Sequence, residues 1–286
     1  MNDLCLGCVC MRIGSRNFNN GRYIMGILNV TPDSFSDGGK YTDIDAALER
    51  TRQMIESGAD IIDVGGESTR PGFSKISVME EIERTCFVIE AIKERFNIPV
   101  SLDTYKSKVA EAGILAGADM INDIWGLTYD DNMASLIAST NVSCCLMHNR
   151  RPCNETGFNQ YGYKDFLKDV TNDLAKCIDI AVNAGISREK LMIDPGVGFA
   201  KDSNQNLEII NNLDKLSSLN LPILLGASRK SFIGNVLGLP VEERLEGTLA
   251  TTAAGFFKGV TFFRVHDVKE NKRLLSMLEA IEYNNK

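Results

Sequence analysis

The chain has 286 residues, 44% hydrophobic and 24% charged, with a formal net charge of −7, the profile of an ordinary globular protein. The acidic balance argues against a general nucleic-acid surface, although a local cationic pocket for a small anion needs only a few side chains. No stretch reaches the 18 or so apolar residues of a membrane helix, and Leu4–Met11, preceded by Asp3 rather than by basic residues, fails as a signal peptide.

A cytoplasmic location is therefore expected, and the eight cysteines read as reduced thiols. Cys5, Cys8 and Cys10 have no second Cys or His pair nearby and fall short of a zinc motif. Residues 1–18 are a lead-in to which no role is assigned. Residues 19–286 read as one domain.

Tyr23 to Leu28 predicts a short strand that breaks into Asn29-Val30-Thr31-Pro32-Asp33-Ser34-Phe35-Ser36-Asp37-Gly38-Gly39, a loop of turn formers. Thr42-x-x-Asp45 then reads as a capping box, Ala47, Leu48, Thr51 and Ile55 follow at helical spacing, and Gly58 ends the helix. A second strand, Ala59 to Val64, leads to Gly65-Gly66-Glu67-Ser68-Thr69-Arg70-Pro71-Gly72, after which Ser77 caps a helix with Ile82, Cys86, Ile89 and Ile92 on its buried face. The third strand is Pro99–Leu102, ending at Asp103.

The alternation continues to the C-terminus. Helix 106–116 leads to strand 119–121, tipped by Asn122-Asp123, and helix 131–139 to strand 142–147, tipped by His148. Helix 164–184 leads to strand 191–193 and Asp194-Pro195-Gly196, and helix 204–216 to strand 222–226 and Ser228-Arg229-Lys230. Helix 241–257 leads to strand 260–263 and Arg264-Val265-His266; the last helix opens on Asp267-x-x-Glu270 and carries Leu274, Leu275, Leu278 and Ile281 on one face. Alternating β and α elements make parallel strands joined by crossovers. Eight units in this length predict a closed (β/α)₈ TIM barrel, with an open doubly wound sheet as the alternative.

In such barrels the loops after the strands form the active face. Here every strand end carries a polar residue, and both histidines of the chain, His148 and His266, fall at strand ends. Asp103, Asn122 and Asp194 suit the donor–acceptor edge of a planar heterocycle. Arg70, Arg264 and His266, with Asn29, fall where the first, second and eighth strands meet, a grouping suited to a phosphate or diphosphate. Gly196-x-Gly198 followed by Lys201 lacks the strand–GxGxxG–helix setting of a dinucleotide loop and reads as close backbone packing beside Asp194.

These motifs together resemble the dihydropteroate synthase family: Met25–Gly39, Asp63–Gly72, Asp103-Thr104, Ile121–Asp123, Asp194–Lys201, Gly226–Ser231 and Arg264–Asp267. The resemblance implies condensation of 6-hydroxymethyl-7,8-dihydropterin diphosphate with p-aminobenzoate in the cytoplasm of a homodimeric, sulfonamide-sensitive family. It implies Asp103, Asn122, Asp194 and Lys230 on the pterin, Thr69, Arg264 and His266 on the diphosphate with Arg70 nearby, and Mg²⁺ on Asn29. Phe199, Pro71 and Ser231 would line the arylamine pocket, Met147 would join the substrate-binding set, and Asp33, Ser34 and Phe35 would belong to a flexible loop. Asp103, Lys230, Arg264 and His266 are the implied catalytic set. A pterin-binding methyltransferase on the same barrel and a non-catalytic paralogue are the alternatives. Asn149-Arg150-Arg151-Pro152 departs from the family pattern.

Overall fold

The computed structural model describes residues 10–19, 21–30, 40–67, 75–152 and 161–284. Thr69, Arg70, Pro71, Asp33, Ser34 and Phe35 lie outside them. The described chain opens with an antiparallel hairpin, β1 (Cys10–Ile13) and β2 (Arg16–Asn19), turning at Gly14 with φ +56°. This hairpin falls in the stretch to which the sequence assigns no role.

The barrel follows as β3 (Tyr23–Asn29), α1 (Lys40–Glu56), β4 (Ile61–Gly65), α2 (Val78–Arg95), β5 (Val100–Asp103) and α3 (Ser107–Leu115). Next come β6 (Met120–Asp123), α4 (Met133–Thr140), β7 (Ser143–Met147), α5 (Phe166–Asn183), β8 (Leu191–Asp194) and α6 (Ser203–Asn211). The final elements are β9 (Leu224–Leu225), α7 (Ser231–Leu237), α8 (Leu245–Phe257), β10 (Phe262–Val265) and α9 (Val268–Tyr283). Eight strands pair in parallel in the order β8-β7-β6-β5-β4-β3-β10-β9. The ring closes where Ile193 of β8 bridges Ile223, with the Ile193 amide donating to Pro222 O at 2.9 Å. The expected (β/α)₈ barrel is present.

Several boundaries move, each for a local reason. Pro222 has no amide to donate, so the strand expected over 222–226 is reduced to two residues. The helix expected over 204–216 stops at Asn211 and continues as a 3₁₀ turn, Leu213–Leu219. Another 3₁₀ turn, Val241–Glu243, precedes α8, and α7 is an element the periodicity did not predict. Helix α1 begins at Lys40, ahead of Thr42. The Ser77 cap forms as expected, its Oγ accepting from the Glu80 amide at 3.2 Å.

Strand parity sorts the core into two parts. Outward side chains such as Ile62, Val64, Leu102, Ile121, Leu146, Ile193 and Phe263 pack beneath the helices. Inward ones near the strand starts, Met25, Ile61, Met120, Cys145, Met192, Leu224 and Phe262, meet Met11, Ile13 and Phe18 of the hairpin in a separate apolar cluster. The hairpin therefore plugs the barrel floor. Phe18 meets Tyr23 and Phe262 edge-on at 4.8 and 5.4 Å between ring centroids, and Ser143 Oγ donates to Arg12 O.

Candidate active site

Two residues further along four of these strands, the inward position turns polar. Asp63 follows Ile61, Asn122 follows Met120, Asp194 follows Met192 and Arg264 follows Phe262, while Asp103 follows Ser101 on β5. Arg264 reaches from β10 across β3 and joins two carboxylates: Nε donates to Asp63 Oδ2 and Nη2 to Asp103 Oδ2, each at 2.6 Å. The Asn122 amide also donates to Asp63 Oδ2, at 3.3 Å. Asp63 is fully buried, and its Oδ1 has no hydrogen-bond partner among the described residues. Burial pushes the Asp103 carboxyl above the ordinary aspartate range against the pull of Arg264, and the same carboxylates hold the guanidinium firmly protonated.

Glycines keep the mouth open between these groups. A Cβ on Gly226 would stand 3.4 Å from Asp194 Oδ2 and 3.9 Å from Arg264 Cδ; one on Gly65 would stand 3.6 Å from the Asp103 Cβ and 3.8 Å from Asn29 Oδ1. Asn29, Gly65, Asp103 and Asn122 are successive register partners across β3 to β6. Asn29, Asp103, Arg264 and Asp194 therefore share one end of the barrel.

The loop after β8 supplies the next wall. Asp194 Oδ1 accepts from the Gly196 amide at 2.7 Å, and burial raises its pKa. Gly196, at φ +69°, could not carry a side chain, since a Cβ would lie 2.0 Å from His148 O; at Gly198, with φ +82°, a Cβ would lie 2.7 Å from the Lys230 Cδ. The close packing expected of these glycines is what they provide. Lys230 leads into α7; its ammonium donates to Val197 O and lies 4.1 Å from the centroid of the Phe199 ring. Burial pulls the Lys230 pKa down to about 8, with Asp194 opposing. Met147, at the end of β7, packs with Tyr105, Ile124, Trp125 and Phe199 in a small apolar cluster at this rim.

Of the residues expected around a diphosphate, His266 is engaged with Ser228: its Nδ1 lies 3.0 Å from Ser228 Oγ, which also accepts from the His266 amide. Arg264 itself is bound to Asp63 and Asp103, so the two expected groups share this residue. Asn29 is exposed at the end of β3 and Ser231 is exposed at the start of α7. Arg229, inside the Ser228–Lys230 motif, clasps Asp267 at 2.8 and 2.7 Å. That fork takes the Asp267 carboxylate away from the start of α9, where it makes no side-chain capping bond.

Sequence reasoning passed over three features. Asp63 lies inside the second strand rather than at its tip, and only its parity with Ile61 marks it as inward. Lys201 is buried in the mouth wall; its signal was the lysine at the end of the Asp194–Lys201 motif. Lys106 holds Glu67 and Glu81 at 2.6 Å each and donates to a third partner, Ile76 O, at 2.9 Å, while Tyr105 donates to Glu67 at 2.8 Å. Glu67 and Ile76 flank residues 68–74, so this buried knot fixes both ends of that segment. The divergent stretch after His148 also has a structural role: Arg150 donates to Asp173 at 2.6 Å and stands 4.3 Å from the Tyr163 ring, and Arg151 stands 5.5 Å from Trp125.

The family described as pterin binding enzyme matches residues 25–266. A dihydropteroate synthase of Clostridium beijerinckii is 57% identical over 274 residues, covering 95% of this chain and 99% of its own. The crystal structure of a Clostridium difficile dihydropteroate synthase in the presence of pteroic acid is 47% identical, with a TM-score of 0.87, covering 92% of this chain and 98% of that one. A Xanthomonas albilineans dihydropteroate synthase with 4-aminobenzoic acid is 36% identical, with a TM-score of 0.88 over 96% and 99% of the two chains. With its polar mouth set at the end of a closed eight-stranded barrel, the chain belongs to the pterin-binding enzymes and, among them, to the dihydropteroate synthases.

Proposed function

We infer that the chain condenses 6-hydroxymethyl-7,8-dihydropterin diphosphate with p-aminobenzoate, giving 7,8-dihydropteroate and diphosphate. The observation that carries this reading is the mouth itself, where Arg264 spans Asp63 and Asp103 opposite Asp194 and the Lys230–Phe199 pair. Asp103, Asn122 and Asp194 present acceptors and an amide to the edge of the pterin. Phe199 offers a flat apolar face to the arylamine and Met147 backs it; Ser231 and, by the family resemblance, Pro71 are assigned to the same pocket.

In the reaction the exocyclic C–O bond to diphosphate breaks and a C–N bond to the arylamine forms. The arylamine nitrogen then gives up its proton. Negative charge grows on the departing oxygen, and fixed cations there lower the barrier. By the family resemblance we assign Arg264, His266, Thr69 and Arg70 to the diphosphate, Lys230 to the pterin, and Asp33, Ser34 and Phe35 to a flexible loop. If departure runs ahead of attack, Asp194 anchors the electron-rich ring that spreads the resulting positive charge.

Among the described residues no cluster of three His, Cys, Asp or Glu could hold a metal by itself. One exposed amide oxygen on Asn29, beside the bare Gly65, instead fits a hard dication whose other ligands are water and substrate phosphate. Mg²⁺ bound there would supply charge neutralisation of the diphosphate. The expected homodimer would use α8 and α9, whose Phe257, Met277, Ile281 and Tyr283 are exposed; Leu275 and Leu278 of the last helix instead pack against the barrel core.

Diphosphate release measured with each substrate alone and with both, in Mg²⁺, tests the reading. Release that requires both substrates supports condensation. Release with the pterin alone, or none with both, overturns it, and transfer of a methyl group in place of condensation would favour the methyltransferase alternative.

A further inference from the structure

The loop that carries Asp194 and Phe199 is held from behind by a buried ammonium that the condensation chemistry does not use. Lys201 is 9% exposed, and its Nζ lies 2.9 Å from His148 Nδ1, 3.0 Å from Gly196 O and 3.1 Å from Phe199 O. Burial pulls the Lys201 pKa down to about 7, with Asp194 opposing, and the protonated form has three acceptors for three protons, with no carboxylate among them.

His148 is as tightly held as the lysine. It is 1% exposed at the end of β7, and its amide donates to Asp194 O at 2.8 Å. Burial and the neighbouring Lys201 charge pull its pKa down to about 4, so the ring is neutral and Nδ1 accepts. The ring proton then sits on Nε2, 3.4 Å from Asp173 Oδ2 but outside hydrogen-bonding geometry, and Asp173 is fixed by Arg150. One hydrogen-bonded line thus runs from His148 through Lys201 to the carbonyls of the loop.

The far side of that loop faces the mouth. Val197 O receives the Lys230 ammonium, and the Phe199 ring lies under it. We propose that Lys201 and His148 are positioning residues for the arylamine side of the site, holding the 194–199 loop so that Phe199 faces the incoming ring. This rests on the synthase reading above. A buried ammonium hydrogen-bonded only to neutral acceptors carries a desolvation cost that no counter-charge offsets. What it does in return is hold two carbonyls of this loop and the His148 ring in fixed positions.

The test is steady-state diphosphate release on the full chain, with each substrate varied in turn, beside thermal melting. Lys201→Met leaves Gly196 O, Phe199 O and His148 Nδ1 without their donor and is expected to melt below wild type. Its KM for p-aminobenzoate should rise at least about tenfold, while KM for the pterin diphosphate and kcat stay within about threefold. His148→Leu should reproduce that split. His148→Asn retains an acceptor at the Nδ1 position and should restore the arylamine KM to within about threefold of wild type. If Lys201→Met does not fold, the His148 pair decides alone.

A wild-type arylamine KM in Lys201→Met or His148→Leu overturns the proposal. So does an equal rise in both KM values, or a His148→Asn variant as impaired as His148→Leu. Wild-type protein that fails to condense the two substrates overturns the synthase reading instead, which keeps the two failures separate.

Discussion

The floor and the mouth of this barrel are built by the same eight strands and differ by a step of two residues. At the floor the inward side chains are Met25, Ile61, Met120, Met192 and Phe262, sealed by Phe18 and the hairpin. At the mouth the next inward positions are Asp63, Asn122, Asp194 and Arg264, tied together by charge and left open by Gly65 and Gly226. Burial of apolar area holds the first region together at about 1.5–3 kcal/mol per large side chain. The second spends stability on desolvated charge, which stays tolerable only while each charge keeps its partner. Chemistry and cohesion are thus separated along the barrel axis, and substitutions should separate them too.

The largest effect should come from Arg264→Ala. It removes a cation from the mouth and leaves buried Asp63 uncompensated, so kcat/KM should fall at least about tenfold and unfolding free energy by about 3–5 kcal/mol. Lys230→Ala should cost a comparable factor in turnover with little change in melting, because its partner is a backbone carbonyl. Wild-type rates in either variant would remove that residue from the mouth.

Phe18→Ala attacks the opposite end. Loss of a buried ring between Tyr23 and Phe262 should cost about 3–5 kcal/mol in urea unfolding, with kcat at 25 °C unchanged. A parallel loss of kcat would show that floor and mouth are mechanically coupled.

The pH dependence of stability probes the wall between them. Unfolded, His148 takes a proton near pH 6.5, but folded it resists until about 4, because burial and the Lys201 and Arg150 charges outweigh Asp173. The unfolded state binds the extra proton, so this group removes stability as pH falls from 6.5 to 4. The loss is on the order of 3 kcal/mol for a shift of this size. Urea midpoints of wild type and His148→Asn should therefore converge toward low pH; parallel curves would contradict it. The smallest effect is expected at the exposed rim: Asn29→Ala should raise the Mg²⁺ needed for half-maximal diphosphate release severalfold, and an unchanged requirement would take Asn29 out of metal binding.

Strand–helix alternation, the motif order and the strand-end residues were readable in the chain because they depend on neighbours a few positions apart. Asp103, Asn122, Asp194 and Lys230 were found because each ends or follows a strand. Asp63 was missed because a carboxylate within Ile61-Ile62-Asp63-Val64 looks like an interruption until its partner is known, and that partner, Arg264, is 201 positions away. The Arg229–Asp267 fork was illegible for a related reason, since its two partners lie far apart in the chain.

By itself the sequence determined the order of the eight strand–helix units and the polar residues at the strand ends, since period-2 and period-3.6 patterns are local properties of the backbone. Only the tertiary structure decided that Cys10–Asn19 closes the floor, that Arg264 serves two carboxylates, and that Lys201 and His148 brace the loop carrying Phe199. Those pairings depend on ring closure, which sets the distance between strands far apart in sequence.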